Sequence, residues 1–218
     1  MNLIFDLDST LISTESLELA LEKNLQKLPE KRRAQISKEI AKITAAGMNG
    51  EISPLESLRQ RISLVKLTPE NLKEIAENLP RELFPGAQNL VEKYRARGAE
   101  IFIVSGAPEI FVFAIADFLQ IPRENCRGCC FEFSSDGNLN FAKIAPDKVS
   151  LFDGLKFRDG KKIMIGDGAT DLEIFEKNLV DEFVAFAGAA RREKVCARAK
   201  FVAESFADLE KILKNLEK

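Results

Sequence analysis

Met1-Asn2-Leu3-Ile4-Phe5-Asp6-Leu7-Asp8-Ser9-Thr10-Leu11-Ile12 opens the chain with a short apolar run that ends on two carboxylates spaced i, i+2. The run reads as a buried strand. If the chain breaks from strand to loop after Asp6, both carboxylates can come round to one pocket, and in a doubly wound sheet the crevice beyond the strand ends is where ligands bind. Two readings are open at this point. One is a metal-assisted nucleophile site; the other is a strand-to-helix turn in which Asp8, Ser9 and Thr10 cap the next helix.

The rest of the chain repeats the strand signal. Apolar runs recur at Ile101 to Val104, Ile163 to Ile165, Phe183 to Phe186 and Phe201 to Ala203, each beside helical periodicity, as in a parallel α/β sheet. The helix before the second run has Pro85-Gly86 at its start, Leu90, Val91 and Tyr94 on one face and Gly98 as its stop. Between Phe131 and Phe141 the residues alternate around Asp136-Gly137, which predicts a hairpin at one edge of the sheet.

Residues 14–79 break the rhythm. Leu17, Leu21, Leu25 and Leu28, then Ile36, Ile40 and Ile43, then Leu55, Leu58, Ile62 and Val65 follow helical spacing with charges between them. About 65 residues of helix without strand is more than a crossover connection needs. The expected architecture is a doubly wound, mostly parallel α/β core of residues 1–13 and 80–218, with a helical cap of residues 14–79 inserted over the crevice.

Composition narrows the chemistry. The 218 residues are 45% hydrophobic, with 32 basic and 34 acidic side chains and no long run of one sign, so neither nucleic acid nor an anionic membrane is favoured as a partner. The longest apolar stretches fall far short of the roughly 20 residues of a transmembrane helix. The first strand starts at residue 2 with no basic leader or small-residue cleavage site, and the expectation is a cytoplasmic protein. Cys126, Cys129, Cys130 and Cys196 do not form an extracellular disulfide pattern; a zinc or redox role lacks a second Cys pair, and reduced structural thiols are expected. The chain has no histidine, which excludes Ser-His-Asp and Cys-His nucleophiles, His-ligated metals and histidine phosphocarriers. Catalysis must run on carboxylates, lysine and hydroxyls.

Matching parts follow the later strands. Ser105-Gly106 offers a hydroxyl and an unencumbered amide to a phosphate oxygen, and Gly166-Asp167-Gly168-Ala169-Thr170-Asp171 combines close backbone approach with two carboxylates suited to a hard cation. Pro146-Asp147-Lys148 reads as a helix start whose lysine either neutralises phosphate or stays solvated on the surface.

Together, Asp6-Leu7-Asp8-Ser9-Thr10-Leu11-Ile12, Ser105-Gly106, Lys148 and Gly166-Asp167-Gly168-Ala169-Thr170-Asp171 resemble, in order and spacing, the four motifs of the haloacid dehalogenase superfamily in its phosphatase branch. Within it the likeness is to the phosphoserine phosphatases. Glu15 stands nine residues after Asp6, Met48-Asn49-Gly50 is followed by Arg61 13 residues after the methionine, and Leu83-Phe84-Pro85-Gly86 leads into the second unit.

The resemblance implies roles. Asp6 would be the nucleophile, forming an aspartyl-phosphate, since a carboxylate needs no base to activate it. Asp8 would protonate the leaving alkoxide and then activate water; carbon-halogen chemistry has no alkoxide to protonate. Mg2+ would be held by Asp6, the Asp8 carbonyl and Asp167, with Asp171 behind them orienting water or Lys148. Ser105, Gly106, Lys148, Thr170 and loop amides near Ser9 and Thr10 would screen the phosphate. Glu15 would take the ammonium and Arg61 the carboxylate of phosphoserine, with Met48 and Gly50 lining the pocket. Helix-surface pairing for Arg61 and a helix N-terminal charge for Glu15 are the plainer alternatives.

The pattern also has departures. Pro54 stands where the family usually has phenylalanine, and Ser105-Gly106 continues as Ala107-Pro108 in place of the usual Gly-Phe. The expected partner is a small phosphate monoester, phosphoserine first. Another monoester, phosphotransfer to an alcohol and a noncatalytic ligand-binding protein on the same scaffold are the alternatives; oligomeric state has no sequence signal.

Overall fold

The computed structural model describes every residue except 49, 50, 142, 143, 145, 146 and 218, and the side chains of Met48 and Pro54 are likewise not described. Among the described residues six strands, β1 (Asn2–Phe5), β2 (Glu100–Pro108), β3 (Cys126–Cys129), β4 (Lys162–Gly166), β5 (Glu182–Phe186) and β6 (Phe201–Ala203), form one sheet in the order β3-β2-β1-β4-β5-β6. Every pairing is parallel, with Leu3 opposite both Ile101 and Ile163. The order reverses at β1, so the carboxyl ends of β1 and β4 flank the crevice that such sheets use for ligands.

Because both faces are covered, the central strands are apolar through their middles and their alternation sorts residues between two cores. Leu3, Phe5, Ile103, Ile165 and Phe186 pack on one face with residues of α5 (Ala87–Ala96), α6 (Glu109–Phe118) and α9 (Phe206–Leu216). Ile4, Phe102, Val104, Met164 and Phe183 pack on the other with α7 (Ala169–Glu176) and α8 (Glu193–Cys196). Gly86, at φ 91, starts α5, and Ser205 caps α9 by accepting from the Asp208 amide at 3.1 Å.

Residues 14–79 carry α1 (Ser16–Leu25), α2 (Glu30–Met48), α3 (Pro54–Leu64) and α4 (Pro69–Asn78), and no strand among the described residues. Ser53 and Thr68 cap α3 and α4 through their hydroxyls, each followed by a proline at the first helical position. Helices α2 and α3 pack closely where Gly47 faces Ser57. Helix α4 lies on α6 of the sheet layer. No helix among the described residues is long and apolar enough to cross a membrane.

Two local expectations need correction. The segment from Phe131 to Phe141 turns at Gly137 and makes a single antiparallel bridge, Phe133 to Leu139, but it adds no strand to the sheet. Ser134 N donates to Asn138 O at 2.9 Å and Asn140 N to Glu132 O at 2.8 Å, so the hairpin forms, with the Ser134 and Asn138 side chains bonded to Asp136 in its turn. The helix start at 146–148 is one 3-10 turn, Val149–Phe152, with Asp147 accepting from the Ser150 amide at 2.8 Å; Pro146 lies outside the described residues.

Candidate active site

After Phe5 the backbone curls into one wide turn, Leu7–Leu11, closed by Ile12 N donating to Leu7 O at 3.1 Å, with Ser9 in the left-handed region at φ 54. The carboxylate of Asp6 accepts from the Leu7 amide at 2.8 Å. That of Asp8 accepts from the amide and hydroxyl of Ser16, both at 3.1 Å, so Asp8 sits against the start of α1. The helix-capping reading of Asp8 and the site reading thus describe the same group, because Asp8 also lines the crevice with Asp6.

Lys148 is buried, not a solvated surface lysine. Its Nζ lies 2.8 Å from Asp6 Oδ1 and 2.7 Å from Asp171 Oδ1. Asp171 Oδ2 in turn accepts from the Gly168 amide at 2.9 Å. A Cβ on Gly166 would stand 2.2 Å from the Asp171 carboxyl carbon, which is why the strand ends in glycine there. Asp6, Asp167 and Asp171 are all buried, each with a carboxylate oxygen within 4.8 Å of the others.

Charge in this cluster is tightly balanced. Burial, then Asp6, push Asp167 up to about 6, and the same two causes push Asp171 up to about 7. Burial alone would lower Lys148, but Asp171 and Asp6 hold it above its ordinary value. Lys148 therefore stays charged, and any proton retained near neutrality sits on a carboxyl group. Asp8 is raised well above its ordinary value by burial, then by Glu15 and Asp6.

A cleft of about 470 Å³ opens above these groups, lined among others by Glu15, Arg61, Ser105, Gly106 and Thr170. Ser105 is buried with its hydroxyl accepting from the Ala107 amide at 3.2 Å; Gly106 and Thr170 are exposed to the cleft. Glu15 precedes α1 and accepts from the Ser9 hydroxyl at 2.7 Å. Leu55, Ala107 and Pro108 form part of the wall where the sequence departs from the family pattern. Gly50 and the side chain of Met48 lie outside the described residues.

Two residues that the sequence reading passed over join the site. Arg192 donates from Nε to Asp167 Oδ2 at 2.6 Å and lies 3.6 Å from Glu15 Oε1. Its one available signal is position, in the loop beyond the carboxyl end of β5. Glu18, one turn along α1 from Glu15, pairs with Arg61 at 2.5 Å. The cysteines form no disulfide, and burial pushes Cys126 up to about 12, so its thiol stays protonated.

The donor set suits a hard divalent cation: buried carboxylate oxygens only, three against the two positive charges of Lys148 and Arg192.

Residues 1–177 match the haloacid dehalogenase-like hydrolases. The chain belongs to that family, and it is an enzyme. Its relatives place it with phosphoric monoester hydrolases of phosphoserine phosphatase type. The chloroplastic phosphoserine phosphatase of Arabidopsis thaliana is 32% identical over 216 residues, covering 94% of this chain and 69% of the relative. A phosphoserine phosphohydrolase-like protein from Francisella tularensis superposes with a TM-score of 0.84 at 40% identity, covering 97% and 98% of the two chains. A phosphoserine phosphatase solved as a phospho-aspartyl intermediate analogue gives a TM-score of 0.69 at 25% identity, covering 98% and 97%.

Proposed function

We propose that this chain hydrolyses a small phosphate monoester, O-phosphoserine first, through an aspartyl-phosphate on Asp6. The observation that carries the reading is Lys148, buried and bridging Asp6 and Asp171 beside a protonatable Asp8. The relative captured as a phospho-aspartyl analogue supports the same chemistry.

Asp6 attacks phosphorus while the ester bond breaks, and Asp8 delivers its proton to the departing serine oxygen. Water then attacks the acyl phosphate, Asp8 takes its proton, and inorganic phosphate leaves with Asp6 restored. Lys148, the Ser105 hydroxyl, the Gly106 amide and Thr170 hold the phosphoryl oxygens and screen their charge from the incoming carboxylate. Mg2+, held by Asp6, Asp167 and the Asp8 carbonyl with Asp171 behind, would supply Lewis-acid stabilisation of that charge. Residues 14–79 act as the cap over a core of 1–13 and 80–218. They bring Arg61 to the substrate carboxylate, and Glu15 before α1 faces the ammonium.

A phosphate-release screen with Mg2+ across phosphoserine, phosphothreonine, phosphoethanolamine and sugar phosphates tests the assignment. Phosphoserine is expected to give the highest kcat/KM; a sugar phosphate ahead of it would move the substrate class. Product analysis with competing alcohols separates hydrolysis from phosphotransfer.

A further inference from the structure

Arg61 does not reach the cleft as a lone cation. Its Nε donates to the Ser57 carbonyl of its own helix at 3.3 Å, and its Nη1 donates to Glu18 Oε1 at 2.5 Å. The same Glu18 oxygen accepts from the Thr44 hydroxyl at 3.3 Å. One carboxylate oxygen therefore joins α1, α2 and α3. Nη2 of Arg61 carries no hydrogen bond among the described residues, and Arg61 lines the cleft.

We infer that Glu18 is a specificity-positioning residue: it clamps the Arg61 guanidinium so that one edge remains available to an anionic group on the substrate. The inference rests on the reading of the cleft as a phosphoserine site. Arginine is long and rotamer-rich, so an unclamped guanidinium loses much conformational freedom when it binds. The cleft also offers it competing carboxylates, Glu15, Asp147, Asp167 and Glu173 among them. Collapse onto any of these would remove it from substrate and disturb the metal ligands. The carboxylate of Glu18 is shared between Arg61 and Thr44, which offsets its repulsion of an incoming anion.

Phosphoserine and phosphoethanolamine differ only in the carboxylate, so steady-state kinetics on both isolates the contact. Glu18→Gln is expected to raise KM for phosphoserine about tenfold, the loss of one charge-assisted hydrogen bond, with kcat and the phosphoethanolamine KM moving much less. Glu18→Asp keeps the charge and recovers part of the loss. In an Arg61→Ala background, Glu18→Gln adds nothing further. Thr44→Val, a milder change on the same oxygen, shifts KM in the same direction and serves if Glu18→Gln folds poorly by thermal unfolding. Equal KM changes on both substrates, or a full Glu18→Gln effect persisting without Arg61, would overturn the inference. If Arg61→Ala is selective for phosphoserine and Glu18→Gln is not, the Glu18 inference alone fails. If Arg61→Ala spares the distinction between the substrates, the carboxylate contact fails and the Glu18 role with it.

Discussion

Asp8 fixes local structure and, in the proposed reaction, also carries the proton. Its two bonds from Ser16 fix the start of α1, while burial and the charges of Glu15 and Asp6 keep its proton on to higher pH than an ordinary aspartate. An acid held in this way matters when the leaving group is a poor one. Asp8→Asn is therefore expected to lower kcat/KM for phosphoserine about 10²- to 10⁴-fold, the usual contribution of a general acid, and to spare kcat/KM for 4-nitrophenyl phosphate, whose leaving group departs unprotonated, while hydrolysis of the shared aspartyl-phosphate slows for both. Equal losses of kcat/KM on both would remove Asp8 from protonation of the leaving group. In the proposed first step the protonated form is the active one, so kcat/KM for phosphoserine should fall as pH rises through the Asp8 pKa, and Asp8→Asn should lose that limb. Asp6→Asn should abolish turnover while circular dichroism keeps the native spectrum; Mg2+-dependent hydrolysis at the wild-type rate would refute the nucleophile. Asp6, Asp8 and Asp167 are legible in the sequence because each stands in a short motif beside a strand end, whereas Lys148 is far along the chain from any strand end and is legible only by its place between the other motifs. Glu18 and Arg192 are not, because their partners lie 43 and 25 residues away and only the fold joins them.

At the level of elements, the strands that could be read from sequence are those carrying an unbroken apolar run, as at Leu3 to Phe5, Ile101 to Val104 and Phe201 to Ala203. Strand β3, Cys126-Arg127-Gly128-Cys129, escaped notice since it is a short edge strand with a charge and a glycine and no β-branched residue. Its glycine has a packing reason: a Cβ on Gly128 would stand 2.7 Å from the Glu109 Cα of α6. The hairpin signal at Asp136-Gly137 holds as a short antiparallel pair, Phe133 opposite Leu139, but that pair stands apart from the sheet instead of extending its edge. The junction of β4 and α7 is the element on which the site depends most closely. Gly166→Ala would drive a methyl into the fully buried Asp171 and pull that carboxylate from Lys148. The expected cost is about 3 kcal/mol by urea unfolding, at the upper end for overpacking, with turnover falling in parallel. Wild-type stability with reduced activity would mean that Asp171 moves aside freely.

Across the whole molecule, the parallel order β3-β2-β1-β4-β5-β6 brings groups from four separate chain regions, 6–8, 105–106, 148 and 167–171, to one end of the sheet. The alternation of strands and helices made that convergence legible; the way the inserted helices meet the crevice, with Glu18 tied to Arg61, was not. Convergence has a cost, because like charges are gathered in a buried place. The folded-state pKa values of Asp8, Asp167 and Asp171 all lie above those of the unfolded chain, Asp167 at about 6 and Asp171 at about 7. A raised folded pKa contributes stability that is fully present below the unfolded value near 4 and is lost as pH rises through the folded value. In chelator, the melting temperature should accordingly fall between about pH 5 and pH 8. A divalent cation bound by the ionised carboxylates acts in the opposite sense, and at 100 times its Kd would add about 2.7 kcal/mol. For a chain of this size that is a rise of about 5 to 10 °C. The rise from added Mg2+ should be larger at pH 8 than at pH 5, where protons compete for the same oxygens. A Mg2+ shift of equal size at both pH values would show that these carboxylates do not hold the cation, while a chelated protein whose melting temperature is flat across the range would show that they are not forced together ionised.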